Sequence, residues 1–90
     1  MVRRQNQLGM WYILSTDPAR PDETIISHQG KKMTVNMKQM DVESCWFNWQ
    51  MRGMFVQDAF RDWTPSQREF IMTGITPEEW KEIFMEREEE

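Results

Sequence analysis

The chain has 90 residues, a formal net charge of −4 at pH 7, 39% hydrophobic and 29% charged residues, one cysteine and one histidine. That suits one small domain with a modest core and is too apolar for wholesale disorder; the lone Cys45 excludes a disulfide scaffold and favours a reducing, cytoplasmic setting. The longest uncharged run, residues 5–16, includes Gln5, Asn6, Gln7, Ser15 and Thr16, which excludes a transmembrane helix, and no clean apolar segment follows Arg3 and Arg4, so no signal peptide is expected.

In chain order, the first 40 residues read as short strands. Trp11-Tyr12-Ile13-Leu14 is β-prone and runs into Ser15-Thr16-Asp17-Pro18, a turn signal, with residues 20–23 as loop. Residues 24–27 and 32–37 flank His28-Gln29-Gly30-Lys31, two β-prone runs around a short Gly-containing turn, as in a hairpin. In the second run Met33, Val35 and Met37 alternate with Lys32, Thr34, Asn36 and Lys38, giving one apolar and one polar face. The expectation is a two- or three-stranded antiparallel sheet.

Residues 41–60 read as one long helix. Asp41 is placed to cap it, and Val42, Cys45/Trp46, Trp49, Gly53, Val56 and Phe60 recur at steps of three and four, an apolar seam. Phe47, Met51, Met54 and Phe55 add a second apolar face, so this helix is expected at the centre, between the sheet and the other helices. Gly53 either permits close backbone approach or splits the helix, and the pattern leaves both open.

Residues 64–84 read as a tight helical hairpin. Thr64, Pro65 and Gln67 form a capping box with Pro at the first helical position, Phe70 and Ile71 supply the buried stripe, and Gly74 ends the helix. Ile75 is placed to press on Phe70. Thr76-Pro77-Glu78-Glu79 repeats the box, with Ile75 and Trp80 positioned as a hydrophobic staple and Trp80, Ile83 and Phe84 as the inward stripe.

Charge divides along the same boundary. Residues 1–40 hold six Lys/Arg against three Asp/Glu, and residues 41–90 hold five against twelve, for nets of +3 and −7. Glu86, Glu88, Glu89 and Glu90 crowd the end, where acids oppose the helix dipole; a solvated helix end and an acidic patch for a basic partner both fit.

No catalytic constellation emerges. His28 sits beside the predicted turn tip and reads as an exposed bystander. Cys45 lies on a helix expected to be buried, where a thiol acts as a small hydrophobe, and no third group orients a Cys45–His28 pair. One Cys and one His cannot close a structural zinc site, and no calcium loop or phosphate-cradling glycine loop is present. Asp58, Asp62, Glu69, Glu78 and Glu82 are interspersed with Arg61, Arg68 and Lys81, as on solvated helix faces. The residues thus point to no enzyme, cofactor or metal.

Two binding readings survive. Arg3, Arg4, Lys31, Lys32 and Lys38, with Trp11 and Tyr12 as stacking platforms, have the ingredients of a single-stranded nucleic-acid site. A major-groove role for the helical hairpin is excluded, because Glu78, Glu79, Glu82 and Glu86 would meet phosphates of like charge. Nine Met and five Trp exceed what so small a core readily hides. Part of them is expected on a surface that grips a partner or a second copy, with Met51, Met54 and Phe55 the place to look.

Over residues 53–84 the chain resembles a group of short, largely uncharacterised proteins of bacteriophages and prophages. The likeness rests on Val56, Gln57, Ala59 and Phe60, then Arg68, Glu69, Phe70 and Gly74, then Pro77, Trp80 and Phe84. Some of those proteins carry a Cys pair where Thr76 and Glu79 stand here, and a Pro where Arg61 stands, so no metal role transfers. The resemblance implies a fold and a viral origin and brings no biochemical activity with it.

The expected architecture is a single α+β domain over residues 1–90, a small N-terminal antiparallel sheet packed on a three-helix C-terminal half. The expected function is that of a small, acidic, non-enzymatic phage-type accessory protein in the host cytoplasm. It would bind a host factor or a phage assembly component through Met51, Met54, Phe55, Glu86, Glu88, Glu89 and Glu90, with self-association left open and no membrane partner. The alternative is a single-stranded nucleic-acid binder using Arg3, Arg4, Trp11, Lys31, Lys32 and Lys38.

Overall fold

In the computed structural model, which describes residues 1–88 and their side chains as far as Ile83, the N-terminal half is built from four strands. These are β1 Val2–Gln5, β2 Trp11–Ser15, β3 Thr24–His28 and β4 Lys31–Val35. They pair as an antiparallel meander in chain order, with Arg4 opposite Tyr12, Leu14 opposite Ile26 and Ile26 opposite Met33. Successive side chains alternate across a sheet. This register therefore gathers Tyr12, Leu14, Thr24, Ile26, His28, Met33 and Val35 on one buried face. The turn between β3 and β4 is Gln29-Gly30, with φ of 48° and 81°, the paired left-handed residues that match a two-residue hairpin to strand twist.

The sheet has one strand more than the two or three expected. Val2-Arg3-Arg4-Gln5 carries no apolar alternation, and it forms a strand because β2 offers a partner in register. The β4 strand ends at Val35, short of Met37, whose carbonyl accepts a 2.6 Å bond from Thr24 Oγ1. His28 is buried, not an exposed bystander. It shares parity with Thr24 and Ile26, so its ring turns inward, stacks 4.6 Å from Tyr12 and brings Nδ1 to 2.8 Å from the Trp11 carbonyl.

The helical half comprises α1 Gln39–Gln50, α2 Val56–Ala59, α3 Pro65–Thr73 and α4 Pro77–Glu88. The single helix expected over residues 41–60 is therefore two, and the three-helix half has four segments. Lys38 and not Asp41 occupies the N-cap of α1, and the helix closes at Met51, whose amide bonds the Phe47 carbonyl. Gly53 adopts φ 72°, and a Cβ built there would meet nothing within 4 Å. It splits the helix, and the place a side chain would take there is open. The break lets Ala59 and Phe60 turn back toward the surface already buried by Val42, Trp46 and Trp49.

Aromatic rings join the two halves. Trp46 lies 5.5 Å from Tyr12, 5.3 Å from Trp49 and 6.1 Å from Phe60, while Phe70 meets Tyr12 edge-on at 5.6 Å. Such contacts favour tilted and edge-to-face geometries, and each ring contributes a large buried apolar area. The Tyr12 hydroxyl donates to the Phe70 carbonyl at 2.6 Å, so the polar tip of this core ring is satisfied.

The helical hairpin follows its sequence code. Thr64 Oγ1 accepts from Gln67 N at 3.2 Å while Gln67 Oε1 accepts from Thr64 N at 2.9 Å, and Thr76 with Glu79 repeats the exchange at 3.1 and 3.2 Å. Gly74 takes φ 83° and its amide bonds Phe70 O at 2.8 Å. The inward stripe expected of α4 is not fulfilled at Ile83, which is exposed, and the side chain of Phe84 lies outside the described residues.

Candidate functional site

The α1 helix buries one face and leaves the other bare. Met40, Ser44, Phe47 and Met51 recur at steps of four, three and four, a single stripe on a 3.6-residue helix. Met40 is 70% exposed, Phe47 55% and Met51 72%. The second apolar face of residues 47–55 is thus uncovered, contrary to the expectation that other helices would pack on it. After the helix breaks, Met54 N bonds Asn48 O at 3.1 Å and folds the chain back, leaving Phe55 74% exposed. Covering such a ring would be favourable by about 2 kcal/mol, and it is its place beside Met51 and Met54 that makes it part of a patch.

Besides the hollow lined by Met40, Ser44, Phe47 and Asn48 on the strip itself, two depressions border it. One of about 500 Å³ lies between β1 and α1 and is lined by Arg4, Gln5, Glu43, Trp46, Phe47 and Met51 among others. The other, about 360 Å³, is walled by Trp49, Gln50, Met54, Phe55, Val56 and Met72 among others. Gln50 borders both, so Met51, Met54 and Phe55, singled out by sequence, stand along one continuous margin. Met40 and Phe47 extend it, as their helical spacing could have indicated. The side chains of Glu86 and Glu88, and residues Glu89 and Glu90 altogether, lie outside the described residues.

The basic residues divide. Arg3, Trp11 and Lys32 share the open face of the sheet, where the Arg3 guanidinium carbon sits 4.8 Å above the Trp11 ring. Across that face Arg3 stands opposite Ile13, Ile13 opposite Ser27 and Ser27 opposite Lys32. Arg4 has the opposite parity and pairs with Glu43 at 3.0 Å, and Lys31 pairs with Glu79 at 3.0 Å. Lys38 lies 3.9 Å from Asp22. The proposed six-residue set is therefore no single stripe, because neighbours along a strand face opposite ways. Tyr12 is fully buried and offers no stacking platform.

Titratable groups show structural surroundings. Burial pushes the Tyr12 hydroxyl up to about 12. Burial, then the carboxylates of Asp41 and Asp62, raises the Cys45 thiol, the reverse of what a thiolate nucleophile requires. Glu79 is lowered first by its bond from Lys31 and then by the Thr76 amide. Among the described residues no three His, Cys, Asp or Glu side chains cluster as a metal site, and no helix is long and apolar enough to cross a membrane.

One organising residue escaped the sequence reading. Buried Asn6 accepts from the amides of Leu8 and Met10 at 2.9 and 3.0 Å, and donates to the Ile71 and Met72 carbonyls at 2.9 and 3.1 Å. It ties the β1–β2 turn to the end of α3. The Asn6-Gln7-Leu8-Gly9 run was the available signal, since Asn bonds its own backbone two residues on. Comparison with known proteins yields no match: no family model, curated protein or solved structure is similar to this chain.

Proposed function

We propose that this chain is a non-enzymatic accessory protein of the phage type that works by binding another protein, a host factor or an assembly component. The observation that carries the reading is the exposed apolar strip of Met40, Phe47, Met51, Met54 and Phe55, set beside a core that is already filled by its own rings. Interfaces favour Met and aromatic anchors, and a strip on a helix next to two depressions offers both knobs and recesses. The acidic residues Glu86, Glu88, Glu89 and Glu90 would add attraction to a basic partner surface. Affinity capture from bacterial lysate should recover a discrete protein with the native chain and lose it with Phe47→Asp/Met51→Asp. Equal recovery by both would exclude the strip, and charge reversal of the four terminal glutamates that leaves recovery unchanged would exclude their part.

A second reading rests on the open sheet face, where Arg3, Trp11 and Lys32 stand with no carboxylate among the neighbouring strand residues. Single-stranded nucleic acid could stack and pair there. It requires affinity for a short oligonucleotide that falls as salt rises and that Trp11→Ala reduces. Binding indifferent to salt would dismiss it.

A further inference from the structure

The margin between β1 and α1 has the geometry of a seat for an added strand. Asn6 N bonds Met10 O at 3.0 Å, and the register continues through Gln5–Trp11, Arg4–Tyr12, Arg3–Ile13 and Val2–Leu14. Hydrogen-bonded pairs alternate in an antiparallel ladder. Arg4 and Val2 are therefore the next bonded positions, and Arg3 and Gln5 direct their backbone groups away from β2, out of the sheet edge. Their carbonyls receive side-chain donors, Arg4 Nη1 on Arg3 O at 2.8 Å and Trp46 Nε1 on Gln5 O at 2.9 Å. Their two amide N–H groups look outward from the sheet edge, and Gln5 also lines the depression walled by Phe47 and Met51.

We infer that this edge accepts an extended acidic peptide of a partner protein as a fifth strand; the inference rests on the protein-binding reading and narrows it. The occupant follows from charge and parity. A second copy adding its own β1 centred on Arg3 or Arg4 would set that arginine against its own copy, and like charges facing each other across strands repel; centred on Gln5 it would need Asn6 and Gln7, which belong to the turn. An incoming strand in register alternates its side chains. Those level with Arg3 lie on the open sheet face, where a carboxylate would meet the guanidinium. Those level with Arg4 project over α1, where Arg4 is already paired with Glu43 and the helix offers Trp46, Phe47 and Met51 beside the neutral Gln50. The matching segment alternates acidic and apolar residues. Backbone bonds would supply affinity and the alternating side chains specificity, as in strand addition generally. A carbonyl has two lone pairs, so Arg3 O and Gln5 O can each accept from the added strand without giving up the present bond.

The probe is a blocked synthetic hexapeptide alternating glutamate and valine, titrated into the intact chain while amide shifts and hydrogen exchange are followed by NMR. In the unliganded protein the Arg3 and Gln5 amides should exchange fast and the Arg4 amide slowly. The peptide should slow Arg3 and Gln5 by about tenfold or more, and its lysine-for-glutamate counterpart should not. Gln5→Pro removes one outward donor without touching the ladder to β2, and should weaken the peptide by about fivefold to tenfold. Should that variant not fold, Arg3→Glu should reverse the preference between the two peptides. Arg3 and Gln5 amides that stay fast with peptide bound overturn strand addition. Amides already slow in a self-associated protein assign the edge to a second copy and overturn it as well. Absence of any shift along β1 and α1 also rejects the proposal, while lysate capture with the Phe47→Asp/Met51→Asp variant decides the broader reading independently.

Discussion

Asn6 spends all its bonding capacity inside the protein, and that makes it the most consequential polar side chain among the described residues. Its oxygen holds the turn after β1 and its nitrogen spans to two carbonyls at the end of α3. Asn6→Ala would leave buried donors and acceptors without partners, at about 2–3 kcal/mol. Asn6→Asp should cost more, because a carboxylate oxygen would replace the amide nitrogen and face the Ile71 and Met72 carbonyls without desolvation being offset. Denaturant unfolding midpoints should fall in the order native, Ala, Asp; an Asp variant as stable as native would refute the bond assignment. The type of residue 6 and its bonds within the turn were legible in the sequence, but its carbonyl partners Ile71 and Met72 were not. They lie more than sixty positions away, and no local pattern specifies which carbonyls a turn asparagine will reach.

Two glycines punctuate the helical half for different reasons, and substitution should separate them. Both adopt positive φ, 72° at Gly53 and 83° at Gly74, where an L side chain is strained. At Gly53 a Cβ meets open space, so Gly53→Ala should cost only the conformational term of about 1–2 kcal/mol. At Gly74 the added carbon would sit 3.1 Å from both His28 Cδ2 and Met10 Cε. Gly74→Ala should therefore destabilise by about 1 kcal/mol more, as the ring and the thioether are pushed aside. Thermal unfolding of both variants tests the ordering. The stop at Gly74 was readable because capping boxes flank it on either side and all the signals lie between Thr64 and Glu79. Gly53 was ambiguous, because an apolar seam continues through it at helical spacing. Whether the seam runs straight or folds back depends on where Phe60 finds its ring partners.

At the scale of the whole molecule, the opposite charges of the two halves become bridges between them. Arg4 and Lys31 of the sheet reach Glu43 of α1 and Glu79 of α4, each at 3.0 Å. These pairs are partly exposed, so they orient the halves more than they stabilise them. Glu79 gives the arrangement a pH signature. Its carboxyl is held below the ordinary glutamate range, so the stability it adds is complete above that range and is withdrawn as pH falls through the lowered value. Glu79→Gln keeps an oxygen for the Thr76 capping box and deletes the charge. The native chain should unfold at higher temperature than this variant near neutral pH, and the gap should close as pH falls below the ordinary glutamate range. A gap independent of pH would show that the Lys31 pair contributes nothing. The apolar strip on α1 belongs to this scale too. The sequence held more Met and Trp than a small core hides, and the fold chose which remain outside.

What the sequence determined by itself is whatever is written within one turn or one hairpin. The capping boxes at Thr64 and Thr76, the left-handed stop at Gly74, the Gln29-Gly30 turn and the alternation through Met33 and Val35 are complete local statements, because the backbone groups they satisfy are a few bonds away. The tertiary structure decided the rest. It made a strand of Val2-Arg3-Arg4-Gln5 by offering β2 in register, turned His28 inward by strand parity, and broke α1 at Gly53 so that Phe60 could return to Trp46. It also sorted Arg3 from Arg4 and Lys31 from Lys32, since adjacent strand residues face opposite sides. Pairing register and ring packing join residues far apart in the chain, and only the folded backbone brings those residues to one place.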